Sequence, residues 1–180
     1  APVPMTARTV WQAALDRFLL QRLTLLQHLC ETHDYALFVE NTFHELDFYA
    51  RLFHHVQAHG LDRIHFCFDI GHAKVWSRQN LAEWVEFLAA LQAGQTRLHF
   101  HWHVNHGLLD EHLALGEAEP EGLLAADGQF LDQDLFASLA WLERRFPDSH
   151  KVFEVKGHLA EDNLRQAIAG IGQAFVNSAG

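Results

Sequence analysis

The stretch 97–117, RLHFHWHVNHGLLDEHLALGE, concentrates side chains that hold metal ions. His99, His101 and His103 alternate, so on a strand all three leave the same face. Beyond Gly107 come Asp110 and His112, one residue apart. Five histidines and two acids fall within fourteen residues. Ordinary packing does not account for that, because a buried histidine needs a partner. Imidazole and carboxylate are ligands of borderline divalent metals, so the stretch reads as a metal-binding strand end and its loop.

Three acids elsewhere stand in matching positions. Glu40 closes the apolar run YALFVE, Asp69 closes IHFCFD, and Glu154 lies near the end of KVFEV. Each run reads as a short buried strand. Between them lie helical patterns: about 11–30, Glu45 to His59 with Gly60 past its end, Asn80 to Ala93, Asp132 or Asp134 to Pro147, and about 160–175. Residues 1–10 read as a loose lead-in, and 104–131 as a long loop. A helix followed by four strand–helix units predicts a parallel sheet with right-handed crossovers. Glu40, Asp69, His101 and Glu154 then sit at or near strand C-termini, where α/β folds assemble their active sites.

Each feature also has a plainer explanation. An acid after a strand commonly starts a turn or caps a helix, and His72, in Asp69-Ile-Gly-His72, could itself be a cap. His99 or His103 reads as a group supporting the ligands. His54, His55, His59 and His65 read as helix-surface or outward strand residues, and His28, His33, His150 and His158 receive no role. Trp76, Trp84 and Trp102 could line a sugar pocket or fill a core. The agreement of four strand ends is what favours a metal site.

Taken together, FVEN at 38–41, FDIGH at 68–72, the histidine stretch with DEHLALGE at 110–117, and VFEV at 152–155 resemble the xylose-isomerase-like TIM barrels. That superfamily includes sugar and sugar-phosphate isomerases and epimerases and zinc-dependent AP endonucleases. The resemblance implies that Glu40, Asp69, His101 and Glu154 hold one divalent metal, Mn, Mg, Co or Zn. It further implies that Glu40 and Glu154 form the acid/base pair, and that His72 contacts a substrate oxygen. By the endonuclease branch, His72, Asp110 and His112 would be ligands of additional zinc. The four strands correspond to the C-terminal half of a barrel, whose eight strands usually take about 250 residues. The chain is thus expected to be a single (β/α) unit over 1–180 with apolar edge strands, completed by an N-terminal half or by another copy.

The expected activity is isomerisation or epimerisation of a small sugar-like substrate, by proton transfer through an enediolate. The alternatives are a zinc-dependent phosphodiesterase resembling AP endonucleases, and a non-catalytic assembly module. A net charge of −10 argues against a phosphate-binding surface, so nucleic acid is not the expected partner. Cys30 and Cys67 lie in apolar runs and read as free buried thiols of a reducing cytoplasm. No stretch reads as a membrane span or targeting segment.

Overall fold

A computed structural model describes residues 5–116, 130–131 and 134–177. Glu117, the last residue of the DEHLALGE motif, and Asp132, one of two expected helix starts, lie outside the described residues. Among those described, the elements in chain order are α1 (Met5–His33), β1 (Leu37–Glu40), α2 (Leu46–Ala58), β2 (Ile64–Asp69), α3 (Ile70–Trp76), α4 (Leu81–Ala93), β3 (Leu98–Trp102), α5 (Leu135–Arg145), β4 (His150–Phe153) and α6 (Ala160–Asn177). The four strands form one sheet in the order β1-β2-β3-β4, parallel at every step. The sequence pattern anticipates this topology.

Alternation along the strands divides the sheet into two unlike faces. Phe66, Phe68, Phe100 and Trp102 point to the helices. There they join Tyr49, Phe53, Trp84, Leu88 and Phe146 in one buried cluster. Some of their rings meet edge-on, as Phe53 does Phe66 and Phe68 does Phe100, at 5.2 and 6.0 Å, while Phe66 stacks on Trp84 at 6.4 Å. Burying each such ring stabilises the fold by about 1.5–3 kcal/mol. The opposite face carries Phe38 and Glu40 on β1, then His65, Cys67 and Asp69 on β2, then His99 and His101 on β3. His65 is therefore no outward residue: it shares the face of Asp69 and is buried, with Arg97 against both ring nitrogens.

Local signals set the helix ends. Asn80 and Glu83 form a reciprocal capping box at α4, and the Asp134 carboxylate accepts the Ala137 N–H at α5. Gly60, at φ +62°, takes the left-handed turn after α2. α1 departs from expectation, beginning at Met5 instead of near Trp11. The short α3 follows β2 directly and had no apolar period to announce it.

The sheet is open in this chain. β1 and β4 are edges, and Val152 on β4 is 43% exposed. Among the helices, α1 exposes Trp11, Leu15 and Phe18, and α6 exposes Leu164, Ile168 and Val176. No helix among the described residues is long and apolar enough to cross a membrane.

Candidate metal centre

The four strands deliver Glu40, Asp69, His101 and Glu154 to one point, and each offers a ligand atom within 4.8 Å of the others. β4 ends at Phe153, two residues earlier than the sequence indicates. The Glu154 N–H nevertheless donates to the Trp102 carbonyl at 3.2 Å, which holds its side chain level with the strand ends. The His101 Nδ1 lies 3.0 Å from Glu154 Oε1, 3.6 Å from Glu40 Oε2 and 3.9 Å from Asp69 Oδ2.

Asp69 does two jobs. Its Oδ1 caps α3 by accepting the His72 N–H at 2.7 Å, and it also bonds His103 Nε2 at 2.9 Å. The plain reading of Asp69 as a helix cap is therefore correct as well, since the other oxygen remains for a ligand role. Asn41 fixes the Asp69 backbone: its amide oxygen accepts the Asp69 N–H at 2.7 Å and its amide nitrogen donates to the Asp69 carbonyl at 2.9 Å. Burial pushes the Asp69 carboxyl up, but the hydrogen bond and charge of His103, with His72, outweigh it and hold the group below the usual range. Burial raises Glu40 against the opposing pull of His101 and His72.

A second set lies beside the first. His72, His103, Asp110 and His112 also bring ligand atoms within 4.8 Å of one another. The loop after β3 folds back because Val104 and Leu113 exchange backbone hydrogen bonds at 3.0 and 2.8 Å. Gly107, at φ +82°, permits that reversal. Gly116, in a turn with Leu115, leaves room for the Gln166 side chain. Asp110 Oδ2 then stands 3.1 Å from both His72 Nε2 and His112 Nε2. His72 joins the two sets, with Nδ1 at 2.8 Å from Glu40 Oε1.

Every site residue marked in the sequence thus reaches one of the two clusters. His103, read there as at most a supporting group, is a full member of the second. The signal was present, because it continues the alternation of His99 and His101 one step past β3. His99 lies lower on the same face, its Nε2 buried without a hydrogen-bond partner. The tryptophans separate: Trp84 and Trp102 are core, and Trp76 alone borders the site, 4.7 Å from the His72 ring.

The residues fit a divalent cation. Asp69 Oδ2, His101 Nδ1 and Asp110 Oδ1 are buried with no hydrogen-bond partner, a costly state for polar atoms unless a ligand completes them. Three carboxylates gathered at one point repel one another, which a cation relieves. One imidazole with three carboxylates suits Mn²⁺, Mg²⁺, Co²⁺ or Zn²⁺.

The fold and these strand-end ligands define a mixed α/β protein with a candidate metal centre on a parallel sheet. Neither family models nor curated proteins match the chain. A solved structure is similar in fold: the TTHB071 protein from Thermus thermophilus, soaked with ZnCl2, at TM-score 0.56 and 23% identity. The match covers 88% of this chain and 56% of that one, so this chain spans little more than half the neighbour's length.

Proposed function

We propose that the chain is half of a xylose-isomerase-like (β/α) barrel and serves a divalent-metal-dependent isomerase or epimerase acting on a small sugar-like substrate. One observation carries this reading: Glu40 closes one outermost strand, Glu154 directly follows the other, and they lie 3.6 and 3.0 Å from His101. An ion held by Glu40, Asp69, His101 and Glu154 would polarise a substrate carbonyl and its neighbouring hydroxyl. Glu40 and Glu154 reach that point from the two ends of the sheet, so one could take a proton from carbon and the other return it. Burial raises the Glu40 carboxyl, which favours an exchangeable proton there. His72, whose Nε2 lies 3.1 Å from Asp110 Oδ2, is placed to contact a substrate oxygen. Asp69, clamped by Asn41 and His103, keeps its position through the cycle.

The second cluster favours another reading, a zinc-dependent phosphodiesterase. Three imidazoles and a carboxylate beside the first set could hold a further ion, and paired ions stabilise both oxygens of a phosphoryl displacement. Elemental analysis of untagged protein separates the readings: one metal per chain favours the isomerase, two or more the hydrolase, and none the assembly module. The direct test is incorporation of solvent deuterium into a panel of aldoses and ketoses, followed by NMR. Exchange that vanishes in Glu40→Gln and Glu154→Gln supports the proposal. Metal-loaded protein that exchanges no substrate proton but cleaves an aryl phosphodiester overturns it.

A further inference from the structure

The central cluster has a sulfur neighbour. Cys67 lies on the inner face of β2, two residues before Asp69 and in register with Glu40 on β1. Its thiol sulfur belongs, with Glu40 and His101, to a third group whose ligand atoms all lie within 4.8 Å of one another. Burial alone would make this an ordinary core cysteine, since only 3% of the residue is exposed. The atoms around it point elsewhere. Asp69 is fully buried, and its Oδ2, 3.9 Å from His101 Nδ1, has no hydrogen-bond partner. The His101 Nδ1 is likewise buried without one. Two overlapping ligand sets therefore share Glu40 and His101. One adds the oxygens of Asp69 and Glu154, and the other adds the sulfur of Cys67.

We propose that Cys67 is a metal ligand that sets the ion preference of the central site, favouring thiophilic divalent ions such as Zn²⁺, Co²⁺ and Cd²⁺ over Mg²⁺ and Mn²⁺. The inference rests on the metal-centre reading above. Magnesium and manganese prefer oxygen donors, whereas thiolate selects softer ions. On binding, the thiol S–H bond is replaced by a sulfur–metal bond and the proton leaves to solvent, with no change of oxidation state. Cys30, the other cysteine, lies in α1 and belongs to none of the ligand groups found among the described residues.

Cobalt(II) titration of the metal-free 180-residue chain tests this by absorption. Visible ligand-field bands report ion binding, and near-ultraviolet charge transfer reports a thiolate on the ion. Both are expected in the native chain and in Cys30→Ser, whose only cysteine is Cys67. The charge transfer is expected to vanish in Cys67→Ser, with Cd²⁺ affinity falling roughly tenfold or more and Mn²⁺ affinity holding. Should that variant fail to fold, the Cys30→Ser spectrum still decides. Ligand-field bands without charge transfer in Cys30→Ser overturn the role of Cys67 and leave the metal centre standing. Absence of both bands overturns the metal centre and this inference with it.

Discussion

Gly71 is where a single methyl group tests the architecture of the site. A Cβ built there would stand 2.1 Å from Cε1, 2.4 Å from Nε2 and 2.8 Å from Nδ1 of His103. Ordinary contact begins at 3.4 Å, so the ring would have to retreat by about 1.3 Å. That retreat is hindered, because His103 is buried and stacks on His112 at 4.2 Å, with the rings 13° from parallel. Retreat would disturb the 2.9 Å bond to Asp69 and the 3.1 Å contact of His112 with Asp110 together. Gly71→Ala is expected to cost about 1–3 kcal/mol through overpacking, and each kcal/mol lowers Tm by roughly 2–4 °C at this chain length. Zinc affinity should fall by about 10–100-fold, the range seen when a supporting hydrogen bond to a ligand is lost. Gly172→Ala is the control, because a Cβ at that exposed helical site meets nothing within 4 Å and should be neutral or stabilising by up to ~1 kcal/mol. Calorimetric zinc titration and melting of both variants decide the matter. Unchanged zinc binding and melting in Gly71→Ala would show that His103 does not depend on the missing side chain.

Chelation is expected to lower Tm and added Mn²⁺ or Zn²⁺ to restore it; at one hundred times Kd the ion contributes about 2.7 kcal/mol, or roughly 5–10 °C. His101→Ala should abolish this response, and a response that persists in that variant removes His101 from the centre. His65 is held near pKa 4, below its usual 6.5, by burial and then by the Arg97 charge. The unfolded chain therefore binds the extra proton between about pH 6.5 and 4, so stability is whole above that window and falls through it by at most about 3 kcal/mol. Denaturant titrations with chelator present should show a flatter profile over this range in His65→Asn, and identical profiles would refute the assignment. Light-scattering chromatography is expected to find the chain above its monomer mass of 20.6 kDa, since both sheet edges and the apolar faces of α1 and α6 are open. A sharp monomer peak with cooperative melting contradicts that.

What the sequence reveals follows from periodicity, and what it hides follows from contacts between distant segments. The four strands are legible because apolar runs bounded by glycine, asparagine and acid have no other regular reading. The Asn80 cap and the Gly60 stop are likewise local chemistry. α3 is not legible, because seven residues starting directly from a strand present barely two helical turns. His65 misleads because histidine favours partial exposure, while its burial depends on Arg97, thirty-two residues away. The fold-back of Asp110 and His112 is only half visible. Gly107 marks a turn, but the Val104–Leu113 pairing that aims it is a contact no residue pattern announces.

The two clusters differ in charge, and this bears on what each can hold. The central set has three carboxylates to one imidazole, the second one carboxylate to three imidazoles. Without an ion, the first gathers negative charge at the strand ends, and the rise in Glu40, driven first by burial, is reinforced by Asp69 and Glu154. The second gathers three imidazole rings, two of which have their outer nitrogen engaged: His72 Nδ1 faces Glu40, and His112 Nδ1 lies 3.2 Å from the Glu154 carbonyl. Such outward bonds fix the tautomer and turn the other nitrogen toward the centre. An imidazole-rich set selects zinc more strongly than an oxygen-rich one, which accepts manganese or magnesium as readily. Asp69 couples them, because its Oδ1 orients His103 in the second set while its Oδ2 faces the first. Filling either position therefore braces the other through one carboxylate, and Asp69→Asn should weaken ion binding at both. Calorimetric zinc titration of that variant checks this, and loss confined to one of two resolved sites would show that the clusters act independently.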